Sequence, residues 1–205
     1  MIGVQNPLSE AAARLPWRCK EKLAWTARGK LRLGSSLRGT EGVALIVVLM
    51  GVAGAGKTTS GKLLAEQLGW MFVDADDFHS AANIEKIRQG VALDESDREP
   101  WLEAIRTAEL RWTSERQDVV LACSALRHAY REKLDIGPEV RFVYLKASRE
   151  LTSQRLLSRR GHFANPLLVA SQFDTLEEPH DVFTVAAEKL PEDIAAEIRT
   201  RLGLT

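Results

Sequence analysis

One stretch constrains this chain more than any other. Gly51-Val52-Ala53-Gly54-Ala55-Gly56-Lys57-Thr58 fits G-x-x-x-x-G-K-[ST] without a mismatch. Its flanks have the matching character. Ala44–Met50 (ALIVVLM) is short, continuous, β-branched and followed by glycine, which predicts a buried strand. Lys57–Gly69 carries an apolar face of Leu63, Leu64 and Leu68 and stops at glycine, which predicts a helix. In such a strand–loop–helix unit, small residues let the loop wrap closely and aim backbone N–H groups at phosphate oxygens. The helix N-terminus adds positive potential. Lys57 is then placed to neutralise the β- and γ-phosphates of a nucleotide, and Thr58 to offer its hydroxyl to Mg²⁺. The expected nucleotide-binding stretch runs from Gly51 to Thr59. An ordinary glycine-rich turn does not account for the complete motif in this context.

The rest of the chain repeats the alternation. Trp70–Val73, Asp118–Cys123 (DVVLAC) and Val140–Lys146 (VRFVYLK) read as strands, with Thr184–Ala186 as a candidate fifth. Asn83–Gly90, Asp97–Glu115 with Pro100 in its first turn, Leu126–Leu134, Glu150–Arg160, Pro166–Phe173 and Asp193–Leu202 read as helices. Strands alternating with helices predict an α/β fold with a parallel sheet covered on both faces, the three-layer P-loop NTPase class.

Charge divides the chain in two. The formal net charge is zero, with 28 basic and 28 acidic residues. Residues 1–40 hold eight Lys/Arg against Glu10 and Glu21, so the remainder holds 20 against 26. A basic N-terminal extension, residues 1–42, thus precedes a mildly acidic body, 43–205. The extension has no clear period. It reads as a poorly ordered or upstream segment, as a targeting presequence, or as an arm that touches an anionic partner, and the residues leave these open. The acidic body argues against a nucleic-acid partner. The longest strongly apolar run is Val43–Met50, eight residues, against ~20 for a spanning helix, so no membrane partner is expected. Two cysteines, Cys19 and Cys123, have no framework spacing and point to a reducing, cytoplasmic setting.

Two absences narrow the class. The third strand runs into Cys123-Ser124-Ala125 without a terminal acid, and no Asn-Lys-x-Asp occurs. Acids follow the second strand instead, in Val73-Asp74-Ala75-Asp76-Asp77. That pattern in a short chain suggests a small-molecule kinase using ATP. Asp76 is the candidate general base for an acceptor hydroxyl and a candidate Mg²⁺ contact beside Thr58. Asp74, two residues away, would point the same way from an extended segment. Both acids have a plainer reading as capping or solvated groups, and Asp77 is expected to be structural.

The body resembles the gluconokinase family. The likeness is carried by GVAGAGKTTSGKLLAEQLGW at 51–70, DADDFH at 74–79 and ANIEKIRQGVALDESDREPWL at 82–102. It continues in ACSALRHAYREKL at 122–134, VRFVYLK at 140–146 and RRGHFANPLLVASQFDTLEEP at 159–179. The blocks cover most of 43–185; residues 1–42 have no counterpart. There are departures: Ala53 and Ala55 stand where the family commonly has serine, Ala75 where it often has glycine, and Arg127 where lysine is common. The resemblance implies a nucleoside-monophosphate-kinase-like shape with a helical lid, a dimer, ATP and Mg²⁺ as cofactors, and gluconate as the small-molecule substrate. It implies catalytic roles for Lys57, Asp76 and Arg159.

For a carboxylate-bearing acceptor, Arg127 is a candidate anchor, since a guanidinium grips carboxylate bidentately, or else a surface ion pair. Arg131 lies one turn on. His79 is a candidate partner for a sugar hydroxyl or a structural histidine. Arg155, Arg159 and Arg160 precede Gly161-His162-Phe163 in the expected lid, where arginines stabilise charge on the transferring phosphoryl group, or form a solvated basic face. His162 and Gln172 match the family pattern as substrate-pocket candidates. A related kinase acting on another acceptor such as shikimate, and a non-catalytic ATP-binding module, are the alternatives. A nucleic-acid-dependent ATPase is disfavoured by the missing terminal acid.

Overall fold

The computed structural model describes residues 44–158 and 166–204. The expected extension at 1–42 and part of the expected lid, with Arg159, Arg160 and His162, lie outside the described residues.

β1 (Ile46–Met50) leads through the glycine-rich loop to α1 (Lys57–Leu68) and β2 (Met71–Asp74). A single 3₁₀ turn, Ala75–Phe78, precedes α2 (Ala81–Arg88) and α3 (Glu95–Ser114). β3 (Val119–Ala122), α4 (His128–Leu134), β4 (Val140–Lys146) and α5 (Arg149–Ser158) follow. α6 (Pro166–Thr175), β5 (Phe183–Ala186) and α7 (Pro191–Leu202) complete the described chain. The sheet is fully parallel, in the order β2-β3-β1-β4-β5. β1 therefore sits at the centre, between β3 and β4, where the chain changes direction across the sheet. Ligands of open α/β sheets bind outside the carboxyl ends of strands at such a point.

Hydrophobic patterning explains why β1 is central. Val47 and Leu49 pack with Leu64 of α1, Val143 and Leu145 of β4, and Ile194 and Ile198 of α7. Ile46, Val48 and Met50 are equally buried on the alternate side, so the strand is apolar on both faces, as a covered parallel strand must be. The edge strands β2 and β5 are only partly buried.

Local capping moves several boundaries. Ser80 accepts from Asn83 N–H and starts α2 at Ala81 rather than Asn83. Asp94 and Asp97 form a reciprocal capping box that starts α3 at Glu95. Pro100 therefore falls in the second turn of α3, not in the first as expected. The D-x-x-D spacing at Asp94 carried that signal. The shift also places Arg98 near the start of the helix, which matters for the site.

Candidate active site

The loop between β1 and α1 is held from three sides. Gly51 has φ +139°, and a Cβ there would lie 2.7 Å from the Leu145 carbonyl oxygen of β4, so only glycine fits this exit from the strand. Gly51 N–H donates to Ser124 O at 3.2 Å. Arg155 of α5 supports the outer side: Nη1 donates to Gly54 O and Ala55 O at 3.2 Å each, and Nη2 to Ala187 O at 2.7 Å. The Gly54 and Ala55 carbonyls are thereby engaged on the outer side of the loop. α1 begins at a left-handed Gly56 with neither a side-chain cap nor an acidic residue in its first turn. Such a bare N-terminus is suited to an anion. Lys57 Nζ lies back on the loop, donating to Gly51 O at 2.8 Å and Val52 O at 3.0 Å.

The loop opens on a cleft of about 1020 Å³ lined by Lys57, Thr58 and Thr59, by Asp74 and Asp76, and by His79. Thr58 Oγ1 donates to Asp74 Oδ2 at 3.1 Å. Asp74 also accepts from Asp76 N–H at 3.2 Å, and so caps the 3₁₀ turn. The segment is therefore not extended beyond Asp74, and the two carboxylates do not share a direction by strand alternation. Asp74 faces Thr58, whereas Asp76 is carried forward by the turn. The turn is anchored from α3, where Trp101 Nε1 donates to Ala75 O at 2.8 Å.

Both acids are pushed above the ordinary carboxylate range. For Asp74 the main cause is burial, then the neighbouring Asp76. Asp76 reaches the surface of the cleft yet is crowded by protein atoms; that desolvation raises it, and Lys57 pulls it back. His79 is buried and stacked on Trp101, with centroids 4.7 Å apart and planes at 12°. Burial, reinforced by Arg98, pushes it down to about 4, so its imidazole is neutral at pH 7. Among the described residues its Nδ1 has no hydrogen-bond partner.

The predicted arginines separate. Arg127 Nη1 pairs with Glu95 Oε1 at 2.9 Å and lies 5.8 Å over the Tyr130 ring; it does not line the cleft. Arg131 is buried, donating to Ala125 O at 3.1 Å and Leu126 O at 3.2 Å. There it clamps the β3–α4 loop, where Ala125 holds a positive φ of 42°. Arg98, which the sequence reading did not single out, shares the same Glu95 oxygen at 2.9 Å but lines the cleft with Trp101 and Tyr130. Its signal was present: it stands one turn before Trp101, once Asp94 is recognised as the helix cap. Gln172 of α6 also lines the cleft, and its Oε1 accepts from Ala53 N–H at 2.6 Å.

A phosphate loop, a hydroxyl–carboxylate pair beside it, a second carboxylate and an arginine lining the same cleft form the layout of a phosphotransferase. Comparisons with known proteins agree. A family model described as shikimate kinase matches residues 53–200. A probable gluconokinase of Xenopus tropicalis is 45% identical over 151 residues, 66% of this chain and 80% of that protein. A gluconokinase of Arabidopsis thaliana is 42% identical over 73% of this chain and 87% of its own length. The crystal structure of a gluconokinase from Sinorhizobium meliloti 1021 superposes with a TM-score of 0.67 at 33% identity, covering 80% of this chain and 98% of that one. With relatives of that identity covered over most of their own length, this chain belongs to the gluconokinase family of P-loop kinases.

Proposed function

We propose that this kinase transfers the γ-phosphoryl group of ATP to the 6-hydroxyl of D-gluconate, giving 6-phospho-D-gluconate. The observation that carries the reading is the shared cleft. Lys57, Thr58 and Asp76 line it together with Arg98, His79 and Trp101. Gluconate carries both a carboxylate and a terminal hydroxyl, and so matches a cleft that offers a guanidinium and a base. Asp76 takes the hydroxyl proton as the oxygen attacks phosphorus and ADP departs. Lys57 leaves the loop carbonyls for the phosphates. Neutral His79 serves the uncharged hydroxyls of the chain rather than the carboxylate.

Mg²⁺ suits this site. Thr58 and Asp74 present adjacent oxygen ligands, and the crowded carboxylates, held above their usual range, gain from a hard cation. Thr58 and Asp74 would hold it, with Asp76 kept for the proton. Bound Mg²⁺ supplies charge neutralisation at the β- and γ-phosphates. Among the described residues no cluster of three or more His, Cys, Asp or Glu forms a metal cage, in keeping with an ion that shares its shell with phosphate and water. We assign the activity to residues 43–205, since the matched region lies within them. The acidic body favours a small-molecule acceptor over nucleic acid, the cysteine usage a cytoplasmic setting, and the resemblance a dimer. Among the described residues no helix is long and apolar enough to cross a membrane.

The direct test is ADP release from ATP and Mg²⁺ across gluconate, shikimate, glycerate, glucose and AMP. Gluconate is the acceptor expected to support turnover. Release with another acceptor instead would overturn the substrate, and ATP binding without turnover on any of them would overturn the kinase assignment. A second prediction separates the arginines. Arg98→Leu should raise the KM for gluconate about 10–100-fold, the loss of one charge-assisted carboxylate contact, and leave the KM for ATP near its original value. Arg127→Leu should change either constant only a few-fold. Equal effects of the two substitutions would remove Arg98 from the anion anchor.

A further inference from the structure

We propose that Gln172 is a donor to the transferring phosphoryl group, so that α6 adds one more donor to the row of N–H groups in the phosphate loop. The inference rests on the kinase reading but not on the choice of gluconate as acceptor.

The starting point is the 2.6 Å bond from Ala53 N–H to Gln172 Oε1, which joins residues 119 positions apart in the chain. A backbone N–H can only donate, so the bond fixes which end of the side-chain amide faces the loop. The oxygen is committed, and the two Nε2 hydrogens are left for the cleft, which Gln172 lines together with Ala53, Lys57 and Asp76. Among the described residues no acceptor engages Nε2. Two amide hydrogens turned to a cleft that also holds the phosphate loop are placed to donate to an anion, and the transferring phosphoryl group is the one this site handles.

The loop also strengthens those donors. Val52 C=O and Ala53 N–H belong to one peptide unit. Val52 O accepts from Lys57 Nζ at 3.0 Å and from Ala55 N–H at 3.2 Å. Donors on a carbonyl polarise its amide and make the N–H on the other side a better donor. That N–H in turn polarises the Gln172 amide. When Lys57 moves to the phosphates the Ala53–Gln172 bond does not depend on it, so the orientation of the amide is retained.

The chemistry asks for such a group. During transfer, negative charge spreads over the three equatorial oxygens of the phosphoryl group, and the loop's own N–H groups approach from the nucleotide side. Gln172 comes from α6. It exchanges no proton and forms no covalent bond. The bond from phosphorus to the ADP oxygen breaks, the bond to the acceptor oxygen forms, and the acceptor proton goes to Asp76 throughout.

The test uses two variants of the full chain. Gln172→Glu keeps an oxygen for Ala53 N–H and replaces both donors with an acceptor. Gln172→Met keeps the volume and removes both functions. Calorimetric titration with Mg²⁺ compares ADP with a non-hydrolysable β,γ-imido analogue of ATP, and steady-state kinetics gives kcat. Loss of one preorganised donor predicts a fall in kcat of about 10²–10³-fold. It also predicts about a tenfold fall in triphosphate affinity for Gln172→Met, a larger one for Gln172→Glu, and ADP affinity within about twofold of the original. A residue that merely props the loop would move both nucleotides together. Equal shifts, or an unchanged triphosphate affinity with unchanged kcat, overturn the proposal. If Gln172→Met melts at much lower temperature than the unsubstituted chain, Gln172→Glu, which keeps the loop bond, decides the matter. Absence of turnover with gluconate would sink the substrate reading, while the contrast between the two nucleotides would still decide the role of Gln172.

Discussion

Asp76→Asn should lower kcat for the kinase reaction by about 10²–10⁴-fold, the usual contribution of a positioned general base, while ATP affinity changes little. The reasoning starts from the turn at the end of β2. Asp74 caps it and faces Thr58, and Trp101 ties its first carbonyl to α3. Asp76 is thereby held forward of the metal-side acid and reaches the cleft. An amide of nearly the same shape keeps the turn intact but cannot take a proton. The pH dependence gives a second handle. Crowding raises Asp76 above the ordinary carboxylate range, with Lys57 opposing. A base must be ionised to act, so activity should rise with pH through a limb displaced upward from a normal aspartate. Asp76→Asn should abolish that limb along with the rate. Asp74→Asn should differ in kind: its main effect falls on the Mg²⁺ concentration needed for half-maximal rate. Rate profiles against pH and against Mg²⁺ for both variants check the assignment. An acid limb that survives in Asp76→Asn, or a rate within about tenfold of the original, would take the base role away from this residue.

Much of this arrangement could be read before the structure, and the reason is local. The phosphate loop, its strand and its helix are consecutive in the chain, so spacing alone places Gly51, Lys57 and Thr58 relative to one another. The strand pattern was equally legible, because β1 and β3 are buried along their whole length. The direction of side chains beyond the strands was not. Asp76 was expected to follow Asp74 by alternation, but the Asp74 carboxylate accepts Asp76 N–H and turns the chain. That is a competition between local capping and extension that the residue types allow either way. The arginines show the other limit. Arg127, Arg131 and Arg98 are equal as charges in a sequence. What separates them is tertiary: Arg98 and Arg127 both pair with Glu95, but only Arg98 lines the cleft, beside Trp101, and Arg131 is held by two buried carbonyls. The contact of Gln172 with Ala53 spans most of the domain and leaves no mark in local spacing.

Glu109→Met should stabilise the protein strongly at alkaline pH and much less near pH 5. Glu109 lies on α3, completely buried, and among the described residues neither carboxylate oxygen has a hydrogen-bond partner. The nearby Arg106 does not rescue it, since its Nη1 donates to Lys133 O at 2.8 Å. Burial pushes Glu109 up to about 9 from an unfolded value of 4.5, with Arg106 opposing and Asp135 adding to the rise. It is therefore a neutral acid in the fold and an anion in the unfolded chain at pH 7. The sign follows directly. Below about pH 4.5 both states hold the proton and there is no penalty. Between there and about pH 9, unfolding releases a proton, so the folded state loses stability by about 1.4 kcal/mol for each pH unit. By pH 8 the accumulated loss is roughly 5 kcal/mol, a large part of the 5–15 kcal/mol that holds a typical domain together. Methionine has a similar length, needs no proton and no partner, and fills an irregular space well. Thermal melting of both proteins from pH 5 to pH 9 measures the difference. The gap in Tm should widen steadily with pH and reach about 8 °C or more at pH 8, with kcat for gluconate unchanged because Glu109 does not line the cleft. A gap that stays constant with pH would mean that Glu109 finds a partner as an anion, and that the α3 core is more polar than its packing indicates.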